Sequence, residues 1–264
     1  MGAIVGVLGS LLGMLQDGAT HVAVATDHVV ESFRNGLWPG YKTGEGIEPN
    51  LHRQFHPLED ALRAMGVTVW AMKEFEADDG LAAAARIAAS DPRIEQVLIC
   101  TPDKDLGQCV VGDRVVQFDR RNRELRNEAG VIAKFGVMPG SIPDYLALVG
   151  DTADGFPGIR GWGSKSAGAV LARYGHLEDI PADVSRWDVV VRGAARLSAA
   201  LEADRDHAML FRTLATLRED APVCRSVDEL RWTGARPEFD AVAAQLGAGH
   251  LADRVRRIAA QLQQ

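Results

Sequence analysis

Residues 96–105 read QVLICTPDKD, and this segment carries the clearest indication of the fold. Its first part is a short apolar run, which is typical of a strand buried in a parallel sheet. The run ends at Thr101, and the acidic residues Asp103 and Asp105 follow almost at once. Because ligands of open parallel sheets bind beyond the carboxyl ends of the strands, this stretch predicts two carboxylates at a functional edge.

On both sides of this segment, apolar runs alternate with helical patterns. The predicted strands lie at residues 21–26, 67–70, 96–101 and 113–118, and the predicted helices of the first half at 3–15, 51–65 and 77–89. After about residue 120 the pattern is helical, over residues 129–135, 142–149, 165–174, 195–218 and 237–262. The order predicts an α/β fold, with a parallel-type sheet flanked by helices and a helical C-terminal region. Gly136, Pro139 and Gly140 mark the change, so the predicted domains are residues 1–138 and 139–264.

Composition narrows the class of protein. The chain has 264 residues, a formal net charge of −7 and three widely spaced cysteines. The charge excludes a globally basic nucleic-acid binder but allows a local basic patch. The cysteines form neither a disulfide framework nor a CxxC zinc motif and suit a reducing, cytoplasmic compartment. The apolar residues 3–15 are too few to span a bilayer, and no lysine or arginine precedes Arg34, so we expect neither a membrane span nor a signal peptide.

Further carboxylates follow the other predicted elements. Acidic residues come after the first strand, after the second strand and after the helix at 142–149: Asp27; Glu76, Asp78 and Asp79; Asp151 and Asp154. Each group alone also fits a structural role, because aspartates cap helices and occupy turns. If all eight carboxylates converge, pairs about 4 Å apart repel by roughly 4 kcal/mol at an effective dielectric of 20. Two Mg²⁺ or Mn²⁺ ions would relieve this repulsion and suit phosphodiester cleavage.

A glycine-rich segment follows the last acids, with FPGIRGWGSKS at residues 156–166. A phosphate-binding P-loop is excluded, because the lysine falls one residue late and no strand precedes the segment. The preferred interpretation is a helix-hairpin-helix turn, in which Gly158, Gly161 and Gly163 let the backbone approach a ligand at the start of a helix. Residues 156–176 contain three basic side chains, Lys165 among them, and no acidic one, which suits a DNA backbone. A tight turn between helices with a solvated lysine is the alternative.

With these motifs the chain resembles the 5′-nuclease family, which includes the 5′→3′ exonuclease domain of bacterial DNA polymerase I, stand-alone bacterial 5′-3′ exonucleases and flap endonucleases. The matching motifs are FEADD at 75–79, TPDKDL at 101–106 and GDTADGFPG at 150–158, followed by Gly161, Gly163 and Lys165. Their order and spacing match from about residue 3 to at least residue 220. The resemblance implies a PIN-like nuclease core with a helix-hairpin-helix region. It also implies a metal-dependent 5′-3′ exonuclease or structure-specific flap endonuclease of replication and repair.

The resemblance also implies residue roles. Ligands of two active-site ions, direct or through water, would be Glu76, Asp78, Asp79, Asp103, Asp105, Asp151 and Asp154. Asp27 would lie near the same site, and residues 30–50 would form an arch over the 5′ strand. Within this arch Arg34 and Lys42 would act at the scissile phosphate and, with Tyr41, bind DNA, unless the segment is a solvated surface loop.

The implied nucleic-acid partner is DNA with a 5′ flap, a nick or a 5′-ended duplex. The duplex would be held by the turn residues Gly158, Gly161, Gly163 and Lys165, in some members with a bound K⁺. A DNA polymerase or clamp partner is left open.

The sequence departs from the family at its start. The family begins with a strand that ends in a metal-binding Asp, whereas no Asp precedes Asp17 here. We expect this strand to lie upstream of residue 1, in a truncated or mis-started reading frame, and the sheet to lack it. A DNA-junction-binding protein with a compromised metal site is therefore an alternative function. A metal-dependent ribonuclease is a further one, although such domains lack the glycine-rich turn.

Overall fold

The structure is a computed structural model that describes residues 2–261. Its helices are α1 (Gly2–Gln16), α2 (Pro49–His52), α3 (Phe55–Ala64), α4 (Ala77–Ser90), α5 (Glu128–Phe135), α6 (Ile142–Val149), α7 (Ser164–Tyr174), α8 (Ala194–Ala203), α9 (Arg205–Ala215), α10 (Phe239–Gln245) and α11 (Gly249–Gln261). Its strands are β1 (Ala23–Asp27), β2 (Thr68–Met72), β3 (Val97–Ile99), β4 (Val115–Asp119) and β5 (Glu124–Arg126).

The chain divides into two units. The first unit comprises Met1–Glu31, Gly44–Leu81 and Ala221–Gln264, and the second unit comprises Ser32–Thr43 and Ala82–Asp220. Each unit therefore collects separate segments of the chain. The predicted division after residue 138 stays a prediction.

The first unit is built on the parallel pair β1 and β2, with Ala23 opposite Thr68 and Asp27 opposite Met72. Helix α1 packs against α3 and α11. It buries Ile4, Leu8, Leu11, Leu12 and Leu15, which are apolar residues spaced to lie on one helix face. The predicted opening helix is confirmed, and it ends before Gly18, whose φ of 104° lies in the region that favours glycine.

The predicted helix at residues 51–65 is wrong in its continuity. The structure has the short helix α2 and then α3, and Leu51 is 45% exposed instead of lying on a buried face. Pro57 lies in the first turn of α3 and has no amide hydrogen to donate to the carbonyl of Arg53. A continuous helix through this segment would therefore lose a hydrogen bond, whereas a helix that begins at Phe55 does not.

The second unit contains a three-stranded sheet in the order β3-β4-β5. Strand β3 pairs with β4 in parallel, with Val97 opposite Val115 and Ile99 opposite Gln117. Strand β5 pairs with β4 antiparallel and was missed in the sequence, because it has only three residues and no clear alternation. The α/β class with parallel pairing is confirmed, and an antiparallel edge strand is added to it.

Helices form the rest of the second unit. Helix α6 is buried along nearly all of its length and packs against α7 and α9, so it is the centre of this unit's core. The helix predicted at 195–218 is two helices separated at Asp204, and the helix predicted at 237–262 is two helices separated near Gly247, whose φ is 66°. Within residues 2–261 no helix combines the length and the apolar character needed to cross a bilayer.

Candidate metal centre and nucleic-acid interface

Three carboxylates of the second unit meet in one place. Asp105, Asp151 and Asp154 each offer an oxygen, and these oxygens all lie within 4.8 Å of one another. Asp105 begins the 3₁₀ turn Asp105–Cys109 after β3, and the other two belong to the turn that follows α6. Asp105 and Asp151 are buried, and the side chain of Asp154 is 13% exposed. Such closely spaced carboxylate oxygens are the donors that hard divalent cations prefer.

A tight turn brings Asp151 and Asp154 together. The amide of Asp151 donates to the carbonyl of Phe156 at 2.8 Å, and the amide of Phe156 donates back at 3.0 Å. The carboxylate of Asp151 also accepts the amide of Ala153 at 3.0 Å. Gly150 precedes the turn with a φ of 83°, and a Cβ there would lie 2.5 Å from the carbonyl carbon of Pro157. Glycine is therefore required where the chain leaves α6 and enters the turn.

Two lysines contact these acids. The Nζ of Lys104 lies 2.8 Å from an oxygen of Asp151, and the Nζ of Lys42 lies 3.0 Å from an oxygen of Asp154. Desolvation lowers the pKa of Lys104, but the hydrogen bond and the charge of Asp151, with further acidic neighbours, outweigh it and leave the pKa raised. Lys104 was not among the predicted site residues. Its position between the two acids of the TPDKDL motif would have indicated that it belongs to the site.

Asp103 lies outside the group of three. It is exposed, and one of its carboxylate oxygens accepts the amide of Asp105 at 3.2 Å. The side-chain amide of Gln117 donates to its carbonyl oxygen. Asp103 thus orders the loop after β3, and its predicted role as a metal ligand stays a prediction.

The acids of the first unit gather at the start of α4. A carboxylate oxygen of Asp27 accepts the amide of Ala77 at 2.7 Å, and a carboxylate oxygen of Asp79 accepts the amide of Glu76 at 2.9 Å. Glu76 and Asp79 are buried, and Asp78 is half-buried. Asp27 and Asp79 therefore satisfy amides at a helix N-terminus, where the helix dipole favours negative charge. These acids therefore do have the helix-capping role that was considered as an alternative. Their predicted roles as metal ligands are not tested by these hydrogen bonds.

The segment predicted as an arch is divided between the two units, and Ser32–Thr43 belongs to the second. Arg34 is 1% exposed, and its guanidinium donates to the carbonyls of Leu214 and Thr216 at 2.8 and 3.1 Å. Tyr41 is also buried, in the core of the unit. A solvated loop is therefore the wrong interpretation for these two side chains, and their predicted contacts with DNA stay predictions.

Lys42 is the member of this segment that reaches the acids. Two hydrogen bonds hold the segment against the turn at Asp154: the indole of Trp38 donates to the carbonyl of Gly155 at 3.0 Å, and the amide of Lys42 donates to the carbonyl of Asp154 at 3.0 Å. Gly155 has a φ of 85°, and a Cβ on it would lie 2.0 Å from the carbonyl oxygen of Gly40. The close approach of the two backbones thus places Lys42 beside Asp154.

The glycine-rich turn lies between α6 and α7. Gly158 and Gly161 have φ values of 70° and 89°, as a tight turn with glycine predicts. Gly163 is the N-cap of α7, and its amide donates to the hydroxyl of Ser166 at 3.1 Å. Gly161, Gly163 and Lys165 are exposed. The turn therefore presents backbone and one lysine to solvent at the start of a helix, an arrangement suited to phosphate.

Comparison with known proteins finds relatives over most of the chain. The family model described as the 5′-3′ exonuclease N-terminal resolvase-like domain matches residues 1–136, and the model of the 5′-3′ exonuclease C-terminal SAM fold matches residues 137–238. The chain is 35% identical to DNA polymerase I of Mycobacterium leprae over 234 residues, covering 87% of this chain and 25% of that protein. It is 36% identical to DNA polymerase I of Pseudomonas aeruginosa over 233 residues, with the same coverage. The chain thus spans about a quarter of the length of these relatives.

Solved structures support the same fold. A structure described as T5 5′-exonuclease with bound divalent metal ions (zinc) is similar with a TM-score of 0.59 and 20% identity, covering 97% of this chain and 89% of that chain. The catalytic core of Rad2 in complex with a DNA substrate is similar with a TM-score of 0.55 and 15% identity, and the match covers 89% of this chain and 78% of that chain. At this identity the likeness concerns the fold alone. Together with the matches of both family models, it confirms the resemblance and the fold class inferred from the motifs, and the chain belongs to the 5′-3′ exonuclease family.

Proposed function

We propose that this chain hydrolyses DNA phosphodiester bonds as a metal-dependent 5′-3′ exonuclease and structure-specific 5′ flap endonuclease. The observation that carries the proposal is the meeting of Asp105, Asp151 and Asp154 within 4.8 Å, in a chain whose two matching family models both describe 5′-3′ exonucleases. Three carboxylates at this distance repel one another by several kcal/mol (about 4 kcal/mol per pair at an effective dielectric of 20). A cation site explains why a fold would keep them together.

The metal proposed for this centre is Mg²⁺ or Mn²⁺, since the donors are all carboxylate oxygens and none is a thiolate or an imidazole. We propose Asp105, Asp151 and Asp154 as ligands. The ligand roles of Asp103 and of Glu76, Asp78 and Asp79, the catalytic role of Asp27 and the number of two ions are proposals that rest on the resemblance. When bound, such ions activate a water and stabilise the leaving oxygen of a phosphodiester.

The lysines contribute positive charge next to the acids. Lys104 lines a cavity of ≈ 340 Å³ together with Lys134, Asp103 and Asp151. The side chains of Lys104 and Lys42 are 35% and 24% exposed, so both are accessible to a ligand. We propose that Lys42 and Lys104 orient a phosphate group at the carboxylates, because each can exchange its carboxylate partner for a phosphate oxygen. The proposal for Arg34 is a positioning role, since it holds the segment that carries Lys42.

The substrate surface includes residues 158–165, which form the turn before α7 and its first residues. The exposed residues Gly161 and Gly163 before α7 and the exposed Lys165 suit the phosphates of a duplex, and a K⁺ at this turn is part of the proposal. The proposed substrate, DNA with a 5′ flap, a nick or a 5′ end, rests on membership of the 5′-3′ exonuclease family. A polymerase or clamp partner is not proposed.

A second candidate function is DNA-junction binding without turnover. The observation that favours it is that Asp151 and Asp154 already have lysine partners, which balance part of the negative charge without a metal. In this case flap binding would persist and would weaken with salt, but cleavage would stay at background.

The two functions are separated by cleavage of a 5′-flap duplex in Mg²⁺ or Mn²⁺. We expect cleavage by the wild-type chain, its loss in EDTA and a fall of at least about 100-fold in Asp105→Asn, which removes one anionic ligand. The matched control Asp206→Asn changes an exposed acid in the first turn of α9 and should cleave like wild type. Flap binding without cleavage in either metal would support the second candidate instead.

A further inference from the structure

A cluster of arginines lies in the turn between β4 and β5. Residues 120–123 read RRNR, and we call them the arginine turn. Arg121 and Arg123 are exposed and Arg120 is half-buried. Within residues 2–261 no ion pair forms at any of these three guanidinium groups, whereas arginines elsewhere in this acidic chain, such as Arg173 and Arg218, pair with carboxylates. The turn therefore concentrates positive charge that the protein itself does not neutralise.

The turn is held in a defined conformation by Asp119. Its carboxylate accepts the amides of Arg121 and Asn122 at 2.9 and 3.1 Å, and the side-chain amide of Asn122 at 2.8 Å. The hydrogen bond from the backbone of Asn122 is the main reason why the pKa of Asp119 is lowered. Arg123 has a φ of 54°, and it is the one non-glycine residue within residues 2–261 with a positive φ. The carboxylate of Asp119 thus binds the backbone of the turn, and within residues 2–261 it forms no ion pair with the three arginines.

The arginine turn lies at the same edge of its sheet as the metal centre. Strands β3 and β4 are parallel, with Ile99 opposite Gln117, so their carboxyl ends share one edge. The chain leaves β3 there towards Asp103 and Asp105, and it leaves β4 there into the arginine turn. Gln117, in β4, donates its side-chain amide to the carbonyl of Asp103, which links the two segments directly.

From this placement we infer that the arginine turn binds the phosphodiester backbone of the DNA substrate next to the metal centre. The inference rests on the proposed function and extends it to a surface outside the three matching motifs. Guanidinium groups suit phosphate because they present several donors in one plane and stay charged. Adjacent guanidinium groups repel one another in the free protein, and a phosphate backbone relieves that repulsion. The acidic chain favours contact with DNA only where such local positive charge exists.

The test is the salt dependence of DNA binding by the variant Arg121→Gln/Arg123→Asn. Asparagine is chosen at 123 because it tolerates a positive φ. Binding of a labelled 5′-flap duplex is measured by fluorescence anisotropy in EDTA, from about 50 to 200 mM KCl. Loss of two phosphate contacts should reduce the slope of log K against log salt by about 1.8 and weaken binding roughly tenfold at the lower salt.

The matched control is Arg236→Gln/Arg257→Gln. It removes the same charge from exposed positions of the first unit, and its slope should equal that of wild type. A wild-type slope in the arginine-turn variant would overturn the inference while leaving the proposed function intact. Absence of both flap binding and flap cleavage in the wild-type chain would instead overturn the proposed function. Should the double variant unfold, Arg121→Gln alone must lose about 0.9 of the slope, and an unchanged slope would again overturn the inference.

Discussion

Lys104 and Asp151 form an ion pair of 2.8 Å that joins two of the sequence motifs, one after β3 and the other after α6. Asp151 is buried, and it shares its site with Asp105 and Asp154. A cation that binds these carboxylates competes with the lysine for the same negative charge. The ammonium group of Lys104 thus neutralises part of the negative charge that a bound cation would otherwise neutralise.

This pair predicts how a Lys104→Met variant binds metal. Removing the ammonium leaves more negative charge at the three carboxylates, so Mn²⁺ should bind more tightly, by about tenfold in Kd at low salt. Isothermal titration of wild type and variant with Mn²⁺ measures the difference. Lys165→Met, on the exposed glycine-rich turn, is the control and should bind like wild type. Weaker Mn²⁺ binding by Lys104→Met would contradict this account of the pair.

A second prediction concerns the approach of two backbones at Gly155. A Cβ at this position would lie 2.0 Å from the carbonyl oxygen of Gly40, and the φ of 85° is itself unfavourable for alanine. Gly155→Ala should therefore lower the free energy of unfolding by about 3 kcal/mol or more. Gly112→Ala is the matched control, because its φ is 49° but nothing lies within 4 Å of the added methyl. The control should lose only about 1 kcal/mol in urea unfolding. Equal losses of unfolding free energy in the two variants would show that the contact with Gly40 adds no cost to Gly155→Ala, contrary to this prediction.

A third prediction separates the structural and the DNA-contact roles of Arg34. Its guanidinium binds two carbonyls at the C-terminal end of α9, where a cation also meets the favourable end of the helix dipole. Arg34→Lys keeps the charge but cannot reproduce the fork of donors, so unfolding should become easier by about 1–3 kcal/mol. Chemical denaturation measures this loss. If stability is unchanged while flap binding falls, Arg34 contacts DNA and the burial seen here is not its working state.

A fourth prediction uses the pair of Glu178 and Arg212. The hydrogen bond from Arg212 is the main cause of the lowered pKa of Glu178. Because the pKa is lower in the folded state, the stabilisation is present above the ordinary pKa of glutamate, about 4.3, and is lost as the pH falls through the lower folded value. The difference in unfolding free energy between wild type and Glu178→Gln should therefore be larger at pH 7 than at about pH 3.

Urea denaturation at the two pH values measures this difference. Glu238→Gln, an exposed acid with no ion pair among residues 2–261, serves as the control and should show little difference from wild type at either pH. A difference for Glu178→Gln that is the same at both pH values would contradict a role for the charge of Glu178.

Local patterns explain which parts of the fold were predictable. Helix α1 follows the spacing of its apolar residues, and α6 matches its predicted bounds of 142–149 because an apolar segment starts near Pro143 and ends at Gly150. The helix expected over 51–65 is divided between His52 and Phe55, because Pro57 has no amide hydrogen to bond to the preceding turn. This loss outweighs the apolar spacing around it. Strand β5 was missed because its three residues carry no pattern, and its pairing with β4 alone makes it a strand.

Sequence patterns were enough to predict most helices and strands, the acids that follow them and the glycines of the turn before α7, because these depend on neighbours along the chain. The three-dimensional structure was needed to show that Asp105 meets Asp151 and Asp154, that Lys104 pairs with Asp151, and that Arg34 and Tyr41 are buried. Such contacts join residues far apart in the chain. Asp105 meets the acids of the turn after α6 because the 3₁₀ turn Asp105–Cys109 packs against α6, a contact that no local spacing encodes.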